Sequence, residues 1–348
     1  MKRIKYFDVL RVICFIIIIF YHMIAQLPIN GVCSQEMIDP FVANENMQLG
    51  TFAVAVFFMI SGASLMYTTQ DKFKLIPFYL KRYMRLLIPF YVVTFIHYIY
   101  KAIMVHDLAG VYIGGIPVWR WIFTIIGVDE WASMHGVLTF SRGIGEWFLG
   151  ALVIISFVFP LLRWLMLKNQ KVFMITASVL YVLVLLFYTP DVPIYMSLLT
   201  KGFDFVVGMW LGLNWQRIDK KWAYVTVPVV VLFLLCPWEL PFHDCLKIFV
   251  LALAFLVSFS FLEEKLQEKE LKPINWLSKY SYELFLVHHL VIYELTRYRA
   301  PYIHGVGGIV IHFILQIVVI AAFSILAKVI ADQLIRLATF ILKKIHLL

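Results

Sequence analysis

FDVLRVICFIIIIFYHMIAQL, residues 7–27, is apolar enough and long enough to cross a bilayer, yet it carries Asp8, Arg11 and His22. A crossing helix takes about 20 mostly apolar residues. Eleven positions separate Arg11 from His22. At 100° per residue this is three turns plus about 20°, so both side chains share one helix face, about 16 Å apart along the axis. A guanidinium and an imidazole inside a membrane helix cost free energy unless they face protein or a watery cavity. A shared face therefore implies a shared cavity. Asp8, three residues before Arg11, can pair with it on that face.

Similar apolar runs recur along the chain. We expect an all-α, polytopic transmembrane helix bundle of about ten spans, at roughly 6–27, 50–68, 84–104, 146–166, 172–189, 197–215, 222–238, 245–262, 278–295 and 308–342. The composition agrees. Of 348 residues, 62% are hydrophobic and 15% charged, where soluble domains carry about 25% charged residues. No stretch is long and polar enough for a separate soluble domain, so residues 1–348 are expected to form one membrane domain. The start, MKRIKYF, imitates a signal peptide. Asp8 and Arg11 interrupt its apolar run and no small-x-small cleavage pattern follows, so it is read as a retained first helix.

The net charge of +9 raises the question of nucleic acid, and its placement answers it. With the N-terminus inside, Lys and Arg gather at alternate ends of the spans: Lys2, Arg3 and Lys5; Lys72 to Arg85; Arg163 to Lys171; Arg217 to Lys221; Lys265 to Lys279; and Arg336 to Lys344. That bias puts both termini in the cytoplasm and accounts for the basic balance without a nucleic-acid partner. The cysteines give no metal pattern. Cys14 reads as a small core residue. Cys236 and Cys245 flank one short outer segment, where a disulfide and two separate thiols are both open readings.

The outer segments differ in character. Residues 28–49 are polar and acidic, and 105–145 form the longest, with Trp119, Trp121 and Trp131 suited to an interface. Long segments between compact elements tend to be functional. The acidic-basic run EEKLQEKELK at 263–272 reads as a solvated cytoplasmic helix.

Several constellations have two readings. His22 lies well past the entry point of its span, and imidazole titrates near neutrality, which suits proton transfer from an attacking hydroxyl. KRYMRLLIPF at 81–90 sets Lys81, Arg82 and Arg85 at a cytoplasmic entrance. They can hold phosphates, but the orientation bias alone explains them. Ser61, Gly62, Ala63 and Ser64 in FFMISGAS suit close helix packing more than a ligand role, and the two are compatible, since a cavity needs thin walls. Glu146 in GEWFLG is either an N-terminal carboxylate favoured by the helix dipole or a group that orients His22 or meets a sugar hydroxyl. In SYELFLVHHL at 281–290, one of His288 and His289 is expected to face the bundle. Lys201 and Asp204, three apart, are expected to pair. No GxSxG, HExxH, Walker A or dinucleotide fingerprint is present.

In order along the chain stand Asp8-x-x-Arg11 with ten residues before His22; Phe57-Phe58-x-x-Ser61-Gly62; Arg82-x-x-Arg85-Leu86-Leu87-Ile88-Pro89-Phe90; Trp147-Phe148-Leu149; and Ser281-Tyr282-x-x-Phe285-Leu286-x-His288. This succession resembles the integral-membrane acyltransferase family 3, whose members O-acylate sugars of cell-surface polymers and lipid-linked glycans. The resemblance implies a cytoplasmic acyl-CoA donor, usually acetyl-CoA, and an acceptor hydroxyl reached from outside. It implies a multi-pass protein of the plasma membrane, with Arg11 and His22 essential. It also implies that Arg82 and Arg85, with the neighbouring Lys81, meet the CoA phosphates. Glu146 joins Arg11 and His22 as a candidate catalytic residue, at a position where the family varies. Many relatives carry a soluble hydrolase-like domain after the tenth span, which is not expected here. A transporter or flippase for a lipid-linked glycan or small solute is the rival reading. It predicts paired broken helices, and residues 1–170 and 171–348 show no matching Gly/Pro interruptions.

Overall fold

A computed structural model describes residues 4–104, 116–140, 143–268 and 271–347. Residues 105–115 of the longest outer segment lie outside these, as do Lys2, Arg3 and Lys269 of the basic inner set. The described chain is helical almost throughout. In order the helices are α1 (Lys5–Ile29), α2 (Gln35–Val42), α3 (Leu49–Thr69), α4 (Leu75–Met104), α5 (Trp121–Ile126), α6 (Asp129–Met134) and α7 (Glu146–Lys168). They continue with α8 (Gln170–Phe187), α9 (Leu198–Asn214), α10 (Ala223–Leu235), α11 (Asp244–Ser258), α12 (Leu262–Glu268), α13 (Lys272–Arg299) and α14 (Gly305–Lys344). A two-residue antiparallel ladder, Ala43–Asn44 with Met47–Gln48, forms the turn before α3.

A helix covers each of the ten segments expected to span. Six of them, α1, α3, α4, α7, α8 and α14, are long and apolar enough to cross a bilayer, and α11 with α12 makes a seventh if that pair, bent by 49°, is one span. At 13 residues, α10 measures about 20 Å, short of the roughly 30 Å hydrocarbon core. α13 is long but polar. Exposed apolar side chains such as Leu186, Phe187, Ile314 and Val318 on α8 and α14 are those a lipid-facing surface carries.

The chain divides into two compact units. The first comprises Met1–Lys72 and Phe159–Ser281, the second Phe73–Val158 and Tyr282–Leu348.

In the first unit α3 packs backbone to backbone on α9. A Cβ at Gly62 would overlap the Phe205 carbonyl oxygen, one at Gly208 that of Met59, and one at Gly212 that of Ala63. Gly208-x-x-x-Gly212 thus supplies the groove into which the small residues of α3 fit, the arrangement that lets membrane helices gain dispersion where no hydrophobic drive exists between them. Around this seam lie Leu10, Cys14, Val56, Met59, Val207 and Leu251. Lys201 and Asp204 pair at 2.7 Å within the core, as their spacing suggests. Cys236 and Cys245 are separate thiols.

Residues 263–268 of EEKLQEKELK lie in α12, which has no buried residue, as a solvated helix requires. Glu263 also accepts the Lys5 and Tyr6 backbone N–H groups at 3.2 and 2.7 Å. The first amides of a helix have no intrahelical partner, and a carboxylate there also suits the dipole.

In the second unit α4 begins at Leu75, earlier than the expected 84. Tyrosines on its added turns tie it to α7: Tyr79 donates to the Phe157 carbonyl at 2.7 Å and Tyr83 to that of Val153 at 3.3 Å. Gly127, at φ 75°, ends α5 in the left-handed conformation, and the Trp121 ring stacks on Phe140 at 4.4 Å. Lys101 of α4 pairs with Glu294 of α13.

Candidate active site

In the first unit, Arg11 is positioned from both sides. Asp8 is buried and accepts Arg11 Nη1 at 2.8 Å and the Ser278 hydroxyl at 3.1 Å. Arg11 Nη2 reaches Ser64 Oγ at 3.5 Å. The pair that the i, i+3 spacing suggests is present, and it is pinned to α3 and to the start of α13. These contacts fix the direction of the guanidinium, whose fork carries five donors, while the side chain remains 28% exposed. A charge held in place but still accessible can polarise a carbonyl or position an anion.

His22 lies further along the same face and is half-buried. Its ring meets Tyr21 edge-on at 5.2 Å, and the Tyr21 hydroxyl accepts Gln48 Nε2 at 3.0 Å. An accessible imidazole on the arginine face has the chemistry of a general base for a hydroxyl.

In the second unit, the segment Gly143-Ile144-Gly145-Glu146 turns sharply into α7. Gly143 and Gly145 adopt φ 72° and 73°, and Glu146 itself sits at φ 46°. An L-residue in that region costs about 1–2 kcal/mol. Close packing holds the turn: a Cβ on Gly145 would lie 2.9 Å from Leu149 and 3.1 Å from Leu286. The strained residue points its carboxyl at α13, with Glu146 Oε1 3.3 Å from His288 Nε2.

His288 is fully buried, and its Nδ1 lies 2.6 Å from the Phe285 carbonyl oxygen. A carbonyl only accepts, so Nδ1 carries a hydrogen. A further proton between Nε2 and the Glu146 carboxyl, on either partner, makes their contact attractive. Phe148 packs on Phe285 at 4.9 Å. The motifs Glu146-Trp147-Phe148-Leu149 and Phe285-Leu286-x-His288 are therefore two halves of one contact. Of the two histidines, His288 is the one that faces inward, and His289 is half-buried.

The basic cluster of α4 divides. Arg82 is half-buried and donates Nε to Ser156 Oγ at 3.0 Å. Lys81 and Arg85 are exposed, four residues apart on one face. Tyr282, half-buried, donates its hydroxyl to the Leu86 carbonyl at 2.6 Å, fastening the motif tyrosine of α13 to this helix. Ser64 stands among the small residues of FFMISGAS and Tyr282 within a motif, whereas Ser156 and Ser278 carry no periodic or charge signal in the sequence.

No curated protein and no solved structure matches the chain. A family model described as an acyltransferase domain matches residues 4–332, from the residue before α1 to the last third of α14. The motifs that meet in these contacts, Asp8 with Arg11 and Glu146 with His288, all lie inside the match. The chain belongs to acyltransferase family 3.

Proposed function

We propose that this protein is a plasma-membrane O-acyltransferase that moves an acyl group, acetyl in the simplest case, from cytoplasmic acyl-CoA to a hydroxyl of a cell-surface or lipid-linked glycan. About ten spans with both termini in the cytoplasm fit the basic bias of the sequence. The observation that carries the reading is the Arg11–His22 face of α1, with Arg11 anchored by Asp8 and still accessible, in a chain that an acyltransferase model matches over residues 4–332.

Arg82, Arg85 and Lys81 hold the CoA phosphates, and the pantetheine arm runs past Arg11. His22 takes the proton of the acceptor hydroxyl as its oxygen attacks the thioester carbonyl. The C–S bond breaks, the ester forms, and the proton passes to the departing thiolate. A second route has His22 accept the acyl group first and pass it outward. Glu146, backed by His288, meets the acceptor hydroxyl.

The test is thiol release from acetyl-CoA by purified, reconstituted protein supplied with glycan acceptors. Release by the wild type and its loss in His22→Ala, at normal membrane expression, supports the reading. Near-wild-type turnover in that variant removes His22 from the chemistry. Failure of acetyl-CoA to bind or be consumed shifts the assignment to a transporter.

A further inference from the structure

A cavity of about 370 Å³ in the first unit is lined by none of the candidate active-site residues. The start of α1, the end of α3, the segment after α9 and the α11–α12 turn enclose it. By the orientation proposed above, all four belong to the cytoplasmic end of this unit. Its walls include the rings of Tyr67, Trp215 and Phe261 and the amides of Gln216 and Gln267. Trp215 is held in place by its own packing, stacked on Tyr6 at 6.0 Å and edge-on to Phe7 at 4.7 Å.

Two carboxylates, Glu263 and Glu264, also line the cavity, and no lysine or arginine does so among the described residues. Glu263 is committed to the first amides of α1. Beside the cavity, Lys5 Nζ donates to the Gln267 carbonyl oxygen at 3.2 Å. The rings and amides favour a flat group with both donors and acceptors. A purine base has that character: aromatic rings stack on its faces, and a glutamine amide can pair with the amino and ring nitrogens of adenine.

We propose that this cavity holds the adenine base of acyl-CoA. The inference rests on the acyl-CoA reading above and adds to it a subsite for the nucleobase.

The test uses the full chain in lipid nanodiscs and three probes: CoA, adenosine 3′,5′-bisphosphate and 4′-phosphopantetheine. Gln216→Ala, at an exposed position, and Trp215→Leu are each expected to weaken CoA and the bisphosphate about tenfold, with phosphopantetheine binding unchanged. A 2-azidoadenine analogue of CoA is expected to label the peptides containing Tyr67 or Trp215. Wild-type CoA affinity in both variants, or equal weakening of all three probes, overturns the adenine site while leaving the acyl-CoA reading intact. If CoA does not bind the wild-type protein, the donor assignment falls and the subsite with it.

Discussion

Glu146 shows how much one residue can reveal. In an ordinary helix position Ala is about 1 kcal/mol better than Gly. At φ 46° the order inverts, because only Gly enters that region without steric cost. We expect Glu146→Gly to unfold later than Glu146→Ala, by about 1 kcal/mol, in thermal denaturation in detergent, with both variants impaired in transfer. The reverse order would mean that the turn relaxes. Asp129, in the outer segment, gives a second residue-level prediction. Burial pushes its carboxyl up to about 6, against the opposing effect of bonds from the Glu130 amide and the Thr124 hydroxyl. Below about pH 4 the acid is neutral folded or unfolded, and ionisation costs nothing. Between 4 and 6 the unfolded segment ionises first, so local stability falls by on the order of 3 kcal/mol and then levels off. Hydrogen exchange of residues 121–134, corrected for intrinsic rate, should show more protection at pH 4 than at pH 7, and Asp129→Asn should flatten the difference.

Helices were legible in the sequence to the extent that hydrophobicity marks them. Each of the ten apolar runs marks a helix, six of them long and apolar enough to cross a bilayer, but the start of α4 was hidden because Lys72, Lys74 and Lys81 suppress hydropathy where tyrosines supply the packing. The Asp8–Arg11 pair could be read because both partners lie on one helix. The Glu146–His288 contact could not: periodicity says which face a side chain occupies, never which helix stands opposite. The same limit hid the partner of the small residues on α3. Now that α9 is identified, the seam is testable. Gly208→Ala and Gly212→Ala each drive a methyl into a backbone carbonyl, and overpacking of this kind costs about 1–3 kcal/mol. Both should lower the melting temperature in detergent, whereas Gly202→Ala, which meets open space on the same helix, should not. Equal melting temperatures for all three would mean that the α3–α9 seam yields.

Across the whole molecule, orientation is the property on which the proposed chemistry depends, and the native cysteines provide a probe of it. Cys33 lies just beyond α1 and is half-buried, whereas Cys14, Cys236 and Cys245 are buried. With the N-terminus inside, a membrane-impermeant maleimide should label Cys33 in intact cells. Burial raises its thiol above the ordinary value, so labelling should be faster at mildly alkaline pH. Labelling only after permeabilisation would reverse the orientation and put the α4 basic cluster on the wrong side for CoA. The order of synthesis adds a constraint of its own. Asp8 is held by Ser278, 270 positions later, and the first amides of α1 by Glu263, some 258 positions later. The segment that bears Arg11 and His22 is therefore made well before α12 and α13, which carry the groups that fasten it. A chain arrested after α10 would display α1 with those anchors unmade, so the Arg11–His22 face is set only once α12 and α13 have been made.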